Sequence, residues 1–181
     1  MKYYSALQTT VIDPSIVKKA REFAIAVTST TDYSDSNQFS TEKIIGDHFI
    51  SKIGEEAAKN ILAQYAAVVG PDYKIYSAQQ KSWDADLYIN NIGIAVKTQK
   101  RSAALRYSLS WTFQAGQFRR DTILNNKEAW VVFVEYNDLN PYTCCVYPPF
   151  QIKELVFGEP MLAKLKGHKK VVYANTLPLS Q

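Results

Sequence analysis

The sequence predicts an α/β fold with a mixed central β-sheet flanked by helices, and three stretches carry that expectation. Residues 41–66 place apolar side chains at helical spacing over six turns or so. Leu87 to Gln99 alternates with period two around Asn90-Asn91, the signature of a hairpin. Ala129 to Tyr136, AWVVFVEY, is a near-continuous apolar run, as expected of a central strand buried on both faces. With 181 residues, 46% hydrophobic and 13% aromatic, the chain can bury one sizeable core, so one domain over residues 1–181 is expected.

In chain order, residues 1–12 read as extended. Asp13-Pro14 then reads as a cap with proline at the first helical position, and Ile16, Ala20, Phe23 and Ala24 carry a helix to about Val27. Residues 28–39 form a polar loop. Ser40 or Thr41 opens the long helix. Ile45, Phe49, Ile50, Ile53, Ala57 and Ile61 make one stripe on it, and Ile44, His48, Ser51, Glu55, Ala58 and Leu62 a second. Two such faces imply a helix covered on both sides, which leaves Glu55 and His48 in need of partners. Gly70-Pro71-Asp72 is a turn, followed by a short strand over Tyr73 to Ser77 and then the hairpin. Tyr142 to Tyr147 pairs with the central strand through the Asp138–Pro141 turn, and Pro148-Pro149 stops it. Ile152 to Phe157 and Pro160 to Leu165 read as short helices, and Lys169 to Tyr173 as a last strand at an edge.

On the hairpin, Leu87 and Ile89 share a side, as do Ile94, Val96 and Thr98. If those sides face one core, Asp86, Ala95 and Lys97 share the other face. A carboxylate on one strand and a lysine on the next suit phosphodiester hydrolysis. That reaction needs an activated water, stabilisation of charge on phosphorus and help for the leaving oxygen, all of which a divalent ion can supply.

This hairpin resembles the active-site hairpin of the PD-(D/E)XK nuclease superfamily, and Gly54-Glu55-Glu56-Ala57-Ala58 with Leu62 resembles that superfamily's first-helix motif. The resemblance implies a restriction-endonuclease-like core and a metal-dependent DNA endonuclease. Asp86, Glu55 and the backbone carbonyl of Val96 would then hold Mg²⁺ (or Mn²⁺), which takes one or two carboxylates plus water and phosphate. Lys97 would orient the attacking water or stabilise charge on phosphate, with Gln99 beside it on the same face. Asp84 has the parity of Asp86 and is the fallback ligand. Ala95 stands where the pattern has its usual acidic residue. Three explanations fit: the acid has moved to Glu55 on the helix, an acid has been replaced by alanine to trap substrate, or the site is inactive. The last would make the chain a catalytically inactive DNA-binding or complex-forming module on the same fold.

Charge supports a nucleic-acid partner. Net charge is +4, yet the segment from Lys97 to Arg120 carries six cations and no acid. Lys100, Arg101, Arg106, Arg119 and Arg120 are therefore candidate DNA contacts, with Trp111 and Gln114 on a DNA-facing strand; Tyr107, Phe113 and Phe118 are interleaved. LKGHKK, Leu165 to Lys170, is a basic turn with His168 that offers peripheral phosphate contacts, although a solvated turn is the more ordinary reading. With His48 and His168 the only histidines and no nucleophile pattern, a serine or cysteine hydrolase is not expected. There is no nucleotide-binding glycine loop. Adjacent Cys144 and Cys145 point to opposite faces of a strand, so no mutual disulfide and no zinc site is expected. No apolar run reaches membrane-spanning length and the amino terminus lacks a signal-peptide core, so the expected location is cytoplasmic, without a membrane partner. A homodimer fits the resemblance, because many nucleases that cut both strands are dimers.

Overall fold

The computed structural model describes residues 1–30, 40–76, 85–117, 119–139 and 142–179. The chain is α/β with a mixed central sheet flanked by helices, as expected. β1 (Gln8–Val11) leads into α1 (Pro14–Thr30), whose start is capped by Asp13 Oδ1 accepting from Ser15 N at 2.7 Å. α2 (Thr41–Leu62) starts at the Ser40 cap, where Ser40 Oγ accepts from Lys43 N at 3.3 Å. It ends four residues earlier than the sequence suggested, because Ala63 to Ala66 continue in turn hydrogen bonds rather than a helical ladder.

β2 (Val68–Val69), β3 (Leu87–Ile89) and β4 (Ile92–Lys100) follow. Asn90 and Asn91 form the two-residue hairpin turn with φ of 50° and 63°, the left-handed conformation that asparagine tolerates. α3 (Arg101–Tyr107), β5 (Ser110–Gln114), β6 (Trp130–Asn137), β7 (Thr143–Val146), β8 (Phe150–Gln151) and β9 (Lys169–Tyr173) complete the chain. The central sheet runs β1-β7-β6-β4-β3-β2, with β8 also paired to β6. β4 and β6 are parallel, and every other neighbouring pair is antiparallel.

Several expectations are corrected. Residues 71–76 form no strand, and Ser77 lies outside the described residues; β2 lies just upstream instead. Tyr73 crosses the helices, its ring edge-on to Phe23 and its hydroxyl donating to Glu56 Oε1 at 3.0 Å. The last strand lies outside the central sheet: β9 pairs with β5 in a separate two-stranded sheet and is bridged on its other side at Val171 to Gly158. The two short C-terminal helices are single 3₁₀ turns at Ile152–Glu154 and Ala163–Leu165. Residues 31–39 of the polar loop, and Asn140 and Pro141 of the predicted turn, lie outside the described residues. The hairpin joining β6 to β7 is present as read.

Each face of the sheet carries its own core. Val132, Val134 and Tyr136 of β6 join Leu87, Ile89, Ile94 and Val96 under α2, whose outer side α1 covers. Val131 and Phe133 point the other way, into a cluster with Trp111, Phe113 and Val172 of the small sheet. Cys144 is buried and Cys145 half-buried, both as free thiols.

α2 and β4 approach closely at Gly54. A Cβ built there would lie 1.8 Å from Thr98 Oγ1, 2.8 Å from its Cβ and 2.9 Å from its Cγ2. Rotating Thr98 would relieve one of these contacts but not the others. Gly54→Ala therefore destabilises the fold by about 1–3 kcal/mol through overpacking, offset in part by alanine's better helix propensity. Adding Thr98→Ala recovers only part of the loss, since its Cβ remains; urea unfolding of the three variants checks the order.

Candidate active site

The hairpin opens where the candidate residues sit. β3 pairs with β4 only over Leu87 to Ile89, and Asp86, just before it, turns its carboxylate onto the neighbouring strand. Asp86 Oδ2 accepts from Val96 N at 2.7 Å, so a side chain takes the place of a ladder partner. Beyond this point the β4 edge borders a cleft of about 630 Å³ lined by Asp86 and by Val96 through Lys100. The opposite walls come from α2, with Asp47, His48 and Ser51, and from β5 and the turn after it, with Gln114, Arg119 and Asp121.

Glu55 is not part of the cleft lining; it lies buried on the helix side, near enough to feel the Asp86 charge. It is 3% exposed, its carboxylate accepting from Ser51 Oγ at 3.0 Å and from Lys52 Nζ at 2.5 Å. Burial, together with the neighbouring Asp86 charge, pushes Glu55 up to about 7 in spite of Lys52. Asp86 is also raised, by burial above all, against the Val96 amide and the Lys97 and Lys52 cations. A buried glutamate and a half-buried aspartate whose charges feel one another thus resist ionising together.

Lys97 lies across the strand. Its ammonium donates to Asp121 Oδ2 at 2.7 Å and sits 5.0 Å from the centre of the Phe113 ring. Asp121 is fixed by β5: Gln114 N donates to the same oxygen at 3.2 Å, and Asp121 N donates to Gln114 O at 2.9 Å. Asp121 was not singled out in the sequence. The signal it left is its position, the first acid after the six-cation run. Ala95 shares the lysine's face but packs against the second core, so its methyl fills apolar space where the pattern has a carboxylate.

The other expected contacts divide. Lys100, Gln114 and Arg119 line the cleft. Gln99 also lines it, but its Oε1 accepts from Ser110 N at 2.8 Å, which pins the start of β5 to β4. Arg101 is committed to Glu135 of β6 by two hydrogen bonds of 2.8 and 3.2 Å. Arg106 and Arg120 are exposed away from the cleft lining. Trp111 is a correction: it is 2% exposed, stacked on Phe133, and its Nε1 donates to Val134 O at 2.9 Å, so no base can stack on it. Its contribution is the cleft floor. Asp84 and Phe118 lie outside the described residues.

A carboxyl group that holds its proton more tightly when folded adds stability below its ordinary range and loses it as pH rises through the folded value. For Glu55 that window runs from its ordinary 4.5 to about 7. In EDTA, stability should therefore fall from about pH 5 to about pH 8 by roughly 2–3 kcal/mol more than it does in Glu55→Gln, read from urea unfolding at each pH. Equal pH profiles would contradict the raised value.

Comparison with protein-family models, curated proteins and solved structures finds no match to this chain, so the functional reading rests on the site itself.

Proposed function

We propose that the chain is a metal-dependent DNA endonuclease of PD-(D/E)XK type, built on a restriction-endonuclease-like core. The observation that carries this reading is the meeting of Asp86, Lys97 and Asp121 in one cation-rich cleft, with Glu55 buried behind Asp86. The cleft lining includes Lys43, Lys97, Lys100, Arg119 and Lys169 against Asp47, Asp86 and Asp121, an excess of positive charge suited to a phosphate backbone.

The donor set fits magnesium or manganese. It offers hard carboxylate oxygens, and two neighbouring acids whose raised proton affinity a divalent cation would offset. Among the described residues no cluster of three such ligands forms. An ion would instead be held by Asp86 and Glu55 alone and completed by the Val96 carbonyl, water and the substrate phosphate. Glu55 must first exchange its Lys52 contact. When bound, the ion supplies Lewis-acid stabilisation of charge on the phosphate.

The chain's own groups do the rest. Lys97 donates to a non-bridging phosphate oxygen as charge develops there. Asp121 holds the Lys97 ammonium in place and is the carboxylate positioned to take a proton from the attacking water, the part Ala95 cannot play. Gln99 acts as a positioning residue, since its amide holds β5 and thereby Asp121. Ala95, packed into apolar surroundings, is also what favours a second reading, a DNA-binding or complex-forming module without catalysis.

Supercoiled plasmid incubated with Mg²⁺ or Mn²⁺ decides between them. The nuclease reading expects nicking that EDTA abolishes and that falls by about 10²–10⁴-fold in Lys97→Ala and in Asp121→Asn. Cleavage that survives Asp121→Asn but not Glu55→Gln would move the acid to the helix. Cleavage appearing only after Ala95→Glu would identify a disabled nuclease. DNA binding without cleavage in every variant would leave the binding module.

A further inference from the structure

The cleft holds more positive charge than the proposed chemistry uses. Lys43 stands on the first turn of α2, just past the Ser40 cap. Lys169 opens β9 directly opposite Gln114 of β5, and Arg119 lies in the turn closed by the Ala115–Arg120 bridge. Three distant segments thus bring their cations to one cleft. Among the described residues none of the three forms an ion pair, whereas Lys97, Lys52 and Arg101 each do.

The cost of that arrangement is visible at Lys169. Its half-buried ammonium is held below the ordinary lysine range, by burial first and then by repulsion from Arg119, with Lys43 and Lys97 adding to it and Asp47 opposing. Asp47, the acid facing the group, leaves a net positive cluster. Lys43 lies at the positive end of a 22-residue helix, which adds to the attraction for an anion. The cleft is open and large enough for several heavy groups besides the site at Lys97. Such a cluster suits a multiply charged oxyanion, and phosphate is a group whose oxygens can accept from several cations together.

We propose that Lys43, Arg119 and Lys169 form a binding subsite for a phosphate group, separate from the residues assigned to chemistry. The phosphate belongs either to the backbone of DNA or to a free polyphosphate. In the first case the subsite deepens the nuclease reading and rests on it, holding a phosphate away from the scissile one and fixing the strand's register past Lys97.

The test uses two probes on the intact chain and on Lys43→Ala/Lys169→Ala. Inorganic tripolyphosphate is titrated in thermal unfolding. A fluorescent duplex is titrated without divalent ions between about 50 and 200 mM salt. The subsite predicts that tripolyphosphate raises the unfolding temperature of the chain and not of the double variant. It also predicts that the variant binds duplex at least about tenfold more weakly, with a salt slope shallower by about 1–2. Lys43→Gln/Lys169→Gln, which keeps most of each stem, must reproduce both losses and excludes misfolding as their cause.

Stabilisation lost in the variants, with no duplex bound by the parent chain, supports the subsite with a free polyphosphate and removes the DNA reading. Unchanged duplex affinity and salt slope in the variants, with plasmid cleavage intact, overturns the subsite and leaves the nuclease reading standing. Failure of both probes to bind the parent chain overturns both.

Discussion

The contact on which the structure turns is the passage of α2 against β4 at Gly54 and Thr98. With no side chain at 54, the helix lies close enough to the strand that the next residue, Glu55, can reach toward Asp86 from the far side of the sheet. Burial from Ile53 through Ala58 is continuous, because β4 covers one side of the helix and α1 the other. A glutamate there can keep its charge only through local partners, which Ser51 and Lys52 provide. The close packing that stabilises the first core therefore also sets the electrostatics of the site.

The second requirement is that residues on opposite faces of a sheet meet, which an uninterrupted ladder would prevent. Here β3 leaves β4 after a short pairing, and Asp86 caps the exposed Val96 amide. At the open edge Asp86 shares a cleft with Lys97 and Asp121, while Glu55 lies buried on the helix side behind it. Asp121 depends in turn on the small β5–β9 sheet, whose aromatic side fills the second core. The hydrophobic contacts of Trp111 and Phe113 are thus what place a carboxylate 2.7 Å from the lysine.

Local signals made much of this legible from sequence. Period two around two adjacent asparagines located the hairpin, and the faces assigned to Leu87, Ile94 and Val96 are the ones that enter the core. Two helical stripes located a doubly covered helix. What escaped depends on distant pairing. β5 meets β9 across more than fifty residues, so neither the position of Asp121 nor the inward turn of Lys169 has a local signature. Trp111 shows the same ambiguity from the other side: an aromatic among cations reads equally as a base-stacking platform or as core, and Phe133 made it core. Arg101 reads as a phosphate contact in sequence because Glu135, the carboxylate that engages it, lies on a strand thirty-odd residues downstream.

The central claim is that Asp86 and Glu55 together take up a divalent ion at the open edge of β4. Titration of Mn²⁺ into the chain, with free ion followed by electron paramagnetic resonance, tests it most directly, because it needs neither DNA nor turnover. The account predicts one Mn²⁺ site that disappears in Asp86→Asn, weakens in Glu55→Gln and persists in Lys97→Ala. Absence of a site in the parent chain, or a site indifferent to Asp86, would contradict it.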